Sequence, residues 1–197
     1  MSDNEAVFKL LDDNNGFITA TQATMAGIAR RTLSSLVDAR VIYRAARGIY
    51  ALPEAMEDEM YFLQYQYSKG IFSNDTALYL HGMSDRTPIS YTLTFPHGYN
   101  APSLRNQNVK IKYVNSETYD LGITELPSPC GNPLIVYDTP RTLCDIVKGS
   151  NSCDIQIVNQ AMKAYVTSNT KDIALLIDYA EKLRVKARIL RYMEVLL

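Results

Sequence analysis

The segment that most constrains the fold of this chain is residues 27–52, where three short elements follow one another. Gly27 supplies the backbone freedom that a tight turn requires, and residues 29–39 then show the leucine spacing of an amphipathic helix. Two strand-like runs, 41–44 and 48–52, come next and are joined by a turn that contains arginine and glycine. Two shorter helical patterns precede them. This order of elements predicts a winged helix-turn-helix.

The polar side of this segment is strongly basic. Residues 28–52 hold five arginines and a single acidic residue, Asp38. At about 100° per residue, the polar residues of the helix point away from the side that carries Leu33 and Leu36. Arginine pairs with phosphates, and both arginine and serine hydrogen bond to base edges. The polar side therefore predicts a surface that binds duplex DNA.

Six residues of this surface have an expected contact with a base or a phosphate. We expect base contacts from Arg31, Ser34 and Ser35, in the helix that would enter the major groove. We expect phosphate contacts from Arg30, Arg44 and Arg47. The complete predicted DNA-binding surface consists of Arg30, Arg31, Thr32, Ser34, Ser35, Arg40, Arg44 and Arg47.

The rest of the chain predicts a second domain. Pro53 closes the predicted hairpin, so we place a winged helix-turn-helix DNA-binding domain at residues 1–53 and a second domain at 54–197. In the second domain, alternating apolar runs come first and helical patterns dominate after residue 140. Strands followed by several helices predict an α+β fold.

Composition and charge bound the location and partners. The net charge is −1, which argues against general nucleic-acid binding, although it averages over patches of opposite sign. Three cysteines without a CxxC pair favour free thiols in a reducing compartment. The N-terminus lacks the pattern of a signal peptide, and no apolar run is long enough to span a bilayer. We expect a cytoplasmic protein that does not enter a membrane.

The end of the chain carries a second basic patch. Helical spacing over residues 185–196 brings Arg184, Arg188 and Arg191 to positions i, i+4 and i+7, one side of a helix. This side is either solvated or a further contact to the DNA backbone or to an acidic partner. The patch consists of Lys182, Arg184, Lys186, Arg188 and Arg191.

Signals for catalysis are poor. The chain has two histidines, and it contains no HExxH, GxSxG or Walker motif. One charged cluster stands at a strand-to-helix transition, where Asp138 is expected to cap the helix and Arg141 to pair with Asp145 at i, i+4. We therefore expect no catalytic residue, no cofactor and no metal ligand.

Four segments in order resemble a known family. They read GIARRTLSSLV, RGIYAL, FSNDTALYLHGM and VYDTPRTLCDI. Together they resemble the AbiEi-type antitoxins of bacterial abortive-infection systems, which defend against phage. The similarity covers nearly the whole chain, and the last two segments with their spacing are its more specific part.

The resemblance implies a function. The N-terminal winged helix would bind inverted repeats in the promoter of its own operon and repress it, with the reading part at residues 30–35 and the wing at 44–48. The C-terminal domain would provide antitoxin activity and assist repression. The partner would be a nucleotidyltransferase-like toxin of a type IV system, in which toxin and antitoxin need not form a stable complex.

Two alternatives remain open at the level of sequence. The winged helix could dock a partner protein, with the C-terminal basic patch as an additional surface. Less favoured is an enzyme that acts on the toxin or its target through the second domain. A deep cleft lined by Asp138, Arg141 and Asp145 would support the enzyme.

Overall fold

A computed structural model describes residues 2–101, 104, 107–148 and 153–196, with the side chains of residues 195 and 196 left out. The chain divides into two compact units, the first formed by Met1–Gln66 with Pro127–Pro133 and the second by Tyr67–Leu126 with Leu134–Leu197. The predicted α+β class is confirmed. The domain boundary predicted between residues 53 and 54 stays a prediction, and the first compact unit continues to Gln66.

The first unit has the element order of a winged helix. Its sheet is antiparallel, in the order β1-β3-β2. The elements are α1 (Asp3–Asp13), β1 (Phe17–Thr19), α2 (Ala20–Met25), α3 (Arg30–Asp38), β2 (Tyr43–Ala46), β3 (Ile49–Ala51) and α4 (Glu59–Gln66).

Local capping explains where the first helices begin. The side chains of Ser2 and Thr19 each accept a hydrogen bond from the backbone amide three residues on. In return, the side-chain oxygens of Glu5 and Gln22 accept from the backbone amides of these caps. Such reciprocal capping satisfies amide groups that have no partner within the helix. The apolar sides of the helices then close one core, which includes Val7, Leu11, Ile18, Ala23, Ile28, Leu33, Leu36, Ile42 and Tyr50.

The segment 127–133 is fixed in the first unit by one buried carboxylate. Asp58 accepts hydrogen bonds from the backbone of Tyr61 at 3.0 Å and from Asn132 Nδ2 at 2.8 Å. The hydroxyl of Ser128 donates a third. Asp58 thus caps the start of α4 and at the same time holds a segment that lies about 70 residues later in the chain.

The second unit is built on a mixed sheet of five strands, in the order β6-β5-β4-β8-β7. The pairs β5–β6 and β4–β8 are parallel, whereas β4–β5 is antiparallel. The elements are β4 (Ile71–Phe72), α5 (Asn74–Leu80), β5 (Tyr91–Pro96), β6 (Val109–Val114), α6 (Ser116–Tyr119), β7 (Ile123–Pro127), β8 (Pro133–Tyr137), α7 (Thr139–Ile146), α8 (Ile155–Thr167), α9 (Ile173–Lys182) and α10 (Lys186–Leu196).

The core of the second unit surrounds α7. Leu143, Cys144 and Ile146 are fully buried, and they belong to the same apolar cluster as Met162 and Leu176 of the neighbouring helices. Burial raises the pKa of the Cys144 thiol to about 12, so the side chain stays neutral. Cys144 is therefore a small core residue, as its apolar surroundings in the sequence indicate.

We predict that Asp58→Ala lowers the free energy of unfolding by about 2–4 kcal/mol, because it removes a helix cap and leaves two buried donors without an acceptor. Urea denaturation followed by circular dichroism measures the change. Glu57→Ala is the matched control, since Glu57 is exposed and its substitution should change stability by less than about 0.5 kcal/mol. Equal unfolding curves for the two variants would contradict the role of Asp58.

Candidate nucleic-acid interface

Helix α3 divides the predicted DNA-binding residues from the core. Leu33 and Leu36 are 1% and 7% exposed and hold one side of the helix against the first unit. The other side of α3 exposes Arg30, Arg31, Ser34 and Ser35. Outside the helix, the predicted residues Arg40, Arg44 and Arg47 are also exposed. The structure therefore leaves every predicted arginine of this surface in water.

The start of α3 is open. The turn before it is made by Gly27, which has φ +75°, and by the buried Ile28. The N-cap residue Ala29 makes no side-chain hydrogen bond, and the first turn contains no acidic residue. Uncapped amide groups and the positive end of the helix dipole attract anions, and Arg30 and Arg31 stand directly at this end.

Two of the predicted polar residues have local partners. Thr32 is half-buried, and its hydroxyl donates to Asp3 Oδ2 of α1 at 3.0 Å. The hydroxyl of Ser34 lies 3.4 Å from the carbonyl of Arg30, one turn earlier in α3. Thr32 therefore fastens α3 to α1, whereas the weak local bond of Ser34 leaves its hydroxyl available to solvent.

The hairpin of β2 and β3 carries two of the arginines. Gly48 has φ +80° and allows a turn in which Arg47 is exposed. The guanidinium of Arg44 lies over the ring of Tyr50, 5.6 Å from its centre, and one of its nitrogens is 3.4 Å from the Tyr50 hydroxyl. Arg44 is thus held in place by Tyr50 while Arg47 projects from the tip.

Arg40 follows α3 in a left-handed conformation, with φ +58°. It lines a hollow of about 420 Å³ together with Arg44, and the remaining lining residues are Val37, Ile42, Tyr43 and Pro53. The sequence predicts Arg40 as part of the DNA-binding surface but indicates neither a base contact nor a phosphate contact for it. The structure places Arg40 in the same hollow as Arg44 of the hairpin.

The described residues contain no acidic partner for the cations of this surface. Across the described ranges, none of Arg30, Arg31, Arg40, Arg44 and Arg47 forms an ion pair with an acidic side chain. A surface of unpaired guanidinium groups exchanges its counterions readily for phosphates.

The second basic patch differs from its prediction. Arg184 does not lie on the last helix, because it forms the turn between α9 and α10 with φ +60°. The expected row of Arg184, Arg188 and Arg191 on one side of a helix is therefore wrong. Lys182 pairs with Asp178 at 2.7 Å, Lys186 pairs with Glu181 at 2.9 Å, and Arg188 donates to the carbonyl of Val147.

The charged cluster near the start of α7 is built as predicted. Asp138 accepts a hydrogen bond from the backbone of Arg141 at 2.8 Å, and Arg141 Nε donates to Asp145 at 2.9 Å. Arg141 is fully buried, and its guanidinium stacks on Tyr137 with the carbon 4.1 Å from the ring centre. Its remaining bonds go to the carbonyls of Thr118 and Leu121.

A hollow of about 510 Å³ in the second unit includes one member of that cluster, Asp138, and His81. Burial lowers the pKa of His81, so its ring is neutral near pH 7. One ring nitrogen of His81 lies 2.8 Å from the carbonyl of Tyr137, and the other lies 3.3 Å from the hydroxyl of Thr139. Both nitrogens are therefore occupied within the fold.

Membrane-spanning helices and clusters of metal ligands are both absent from the described residues. No helix in these ranges is long and apolar enough to cross a membrane. No group of three or more His, Cys, Asp or Glu side chains in the same ranges is arranged to hold a metal ion.

Comparison with known proteins bears on the first unit. Residues 5–53 match the family described as "Transcriptional regulator, AbiEi antitoxin". The resemblance stated from the sequence is confirmed over these residues, which make up about a quarter of the chain.

The fold as a whole resembles a solved structure. The crystal structure of the RV2827C protein from Mycobacterium tuberculosis matches with a TM-score of 0.50 and 15% identity, covering 97% of this chain and 79% of that one. At this identity the likeness concerns the fold. No curated protein matches the chain.

We predict that Arg141→Met makes stability more dependent on pH. Burial raises the pKa of Asp145, and Arg141 acts in the opposite direction, so its removal raises that pKa further. The folded state then keeps a proton that the unfolded chain releases above about pH 4, and stability falls as the pH rises through the folded value. Denaturation at pH 5 and pH 8 should show the larger loss, about 3–5 kcal/mol, at pH 8.

The double variant Arg141→Met with Asp145→Asn is the control for this experiment. Because it has no titrating group at position 145, its own free energy of unfolding should change less between pH 5 and pH 8 than that of Arg141→Met. A loss in Arg141→Met that is equal at pH 5 and pH 8 would show that Asp145 does not depend on Arg141.

Proposed function

We propose that the first unit binds duplex DNA and that the protein is a transcriptional autorepressor and antitoxin. The observation that carries the proposal is the start of α3, whose own first turn contains no acidic residue and where Arg30 and Arg31 stand exposed. In a winged helix, such a helix enters the major groove and the hairpin lies on the flanking backbone.

The positions of these residues support different roles in DNA binding, with some contacting bases and others contacting phosphates. Arg31, Ser34 and Ser35 stand on the exposed side of α3, from which side chains reach base edges. Arg47 at the hairpin tip and the pair of Arg40 and Arg44 around one hollow are placed to hold phosphates. Thr32 orients the helix through Asp3 rather than binding a base.

Promoter recognition requires more than one copy of the chain. One α3 reads a half-site, so two copies on an inverted repeat would supply the specificity that a single helix lacks. Such binding at the promoter of its own operon would make expression self-limiting. Because chromosomal DNA of a bacterium lies in the cytoplasm, the proposal places the protein there.

The antitoxin part of the proposal follows from the matched family, whose description names an AbiEi antitoxin. We assign it to a type IV abortive-infection system, with a nucleotidyltransferase-like toxin as functional partner and without a requirement for a stable complex. The second unit would provide neutralisation. The proposal assigns no catalytic step to this chain.

Substitutions in the hairpin and in α3 should have different effects on DNA binding. Arg44→Ala or Arg47→Ala should weaken binding to all duplexes and lower the dependence of log K on log salt by about one, since each removes a phosphate contact. Ser34→Ala or Ser35→Ala should instead reduce the preference for the operator, by about 1–3 kcal/mol per lost base contact.

The measurement is a mobility-shift titration at two salt concentrations, on the promoter region of its own operon and on a scrambled duplex. Arg86→Ala is the matched control, since Arg86 is an exposed arginine of the second unit with a long 3.9 Å contact to Asp154. Equal affinity and equal salt dependence for all variants, or no shift by the wild type, would exclude DNA binding by this surface.

A further inference from the structure

A basic hollow lies in the second unit, whereas the residues used above for DNA binding belong to the first unit. It has a volume of about 490 Å³ and is lined at the ends of several elements. We call it the α9 hollow, and the residues that define it are His97, Tyr113, Lys148, Lys182 and Arg184. Its volume is in the range of sites that hold small organic ligands.

Positive charge dominates the α9 hollow. Lys148, Lys182 and Arg184 line it, and Glu117 is the acidic residue among its lining. Lys182 shares its charge with Asp178, whereas Lys148 and Arg184 form no ion pair with any described residue. The hollow therefore attracts an anion with more than one charge.

Arg184 occupies a backbone position that an arginine does not favour. It has φ +60° and directly follows the end of α9, a position at which helices commonly place glycine. The amides of Arg184 and Val185 donate to the carbonyls of Glu181 and Ala180 at 3.0 and 2.8 Å, so the turn itself is complete. Backbone hydrogen bonds alone close this turn, so the guanidinium of Arg184 remains available to a ligand.

The same turn removes an obstacle to anion binding. The carbonyl groups at the end of a helix repel anions when they are free. At the end of α9, backbone amides bond the carbonyls of Tyr179, Ala180 and Glu181. The cations on the rim are therefore the main electrostatic feature of this end of the hollow.

An aromatic surface stands beside the cations. The rings of His97 and Tyr113 lie nearly parallel, at 16° and with centres 6.3 Å apart. Tyr113 is 43% exposed, although it is a large aromatic residue. A flat, accessible aromatic ring is a platform on which a nucleobase can stack.

We propose that the α9 hollow binds a nucleoside polyphosphate. The phosphates contact Lys148, Lys182 and Arg184, and the base stacks at Tyr113. The two features are complementary to the two ends of this one class of ligand, since an inorganic polyphosphate would not use the ring and a neutral nucleoside would not use the cations. This site is independent of the proposed DNA interface, which lies in the first unit.

The test is fluorescence titration of the full chain with mant-ATP and mant-GTP, with competition by inorganic tripolyphosphate and by adenosine. We expect saturable binding, and a loss of affinity of roughly tenfold or more in Arg184→Gly, which removes a charge-assisted contact. Because glycine adopts positive φ freely, the melting temperature of Arg184→Gly should be equal to or above that of the wild type. Arg191→Ala is the matched control, an exposed arginine of α10 outside the lining, and should bind as the wild type does.

Tyr113→Ser separates the two ends of the ligand. It should weaken the binding of the nucleotides while leaving competition by tripolyphosphate unchanged, because it removes the ring and no charge. The proposal is overturned if the wild type shows no saturable binding, or if Arg184→Gly retains full affinity. It is also overturned if Tyr113→Ser has no effect, or if a short single-stranded oligonucleotide binds the hollow more tightly than either nucleotide.

The outcome is distinguishable from that of the proposed function. Arg184→Gly should bind duplex DNA as the wild type does, and Arg47→Ala should bind mant-ATP as the wild type does. A wild-type protein that binds duplex DNA but shows no saturable nucleotide binding would disprove this inference alone.

Discussion

Burial of the apolar side of α3 determines which side chains the first unit exposes to solvent. Turning the helix to hide its arginines would expose Leu33 and Leu36, each of which gains about 1.5–3 kcal/mol from burial. It would also require the desolvation of two guanidinium groups without partners. The orientation of Arg30 and Arg31 thus follows from packing, and the sheet behind α3 keeps the hairpin arginines next to the same core.

Regular elements are predictable from the sequence because their signals are local. The spacing of apolar residues predicts α3 at residues 29–39, within one residue of its observed bounds at each end. The short strand β4 (Ile71–Phe72) is not predicted, since it exists only through pairing with strands more than 20 residues away. The turn at Arg184 is missed for a different reason, because the usual marker of a left-handed helix end is glycine.

The candidate sites differ in the same way, because a site is predictable from the sequence only when its residues are close together along the chain. The arginines of α3 and the hairpin are close in sequence, so their pattern is visible although the net charge of the chain is −1. The α9 hollow joins residues from 97 to 184, and no local pattern connects them. The hydrogen bond of Thr32 to Asp3 likewise depends on the packing of two helices.

The hydrogen bonds from residues 127–133 to Asp58 determine when the first unit can complete its folding during translation. A ribosome makes the first 66 residues well before this segment, and at about 5–20 residues per second the interval is roughly 3–13 s. During this time the Asp58 carboxylate has only solvent and the start of α4 as partners. The unit that carries α3 therefore matures late in translation, after a large part of the second unit has been synthesised.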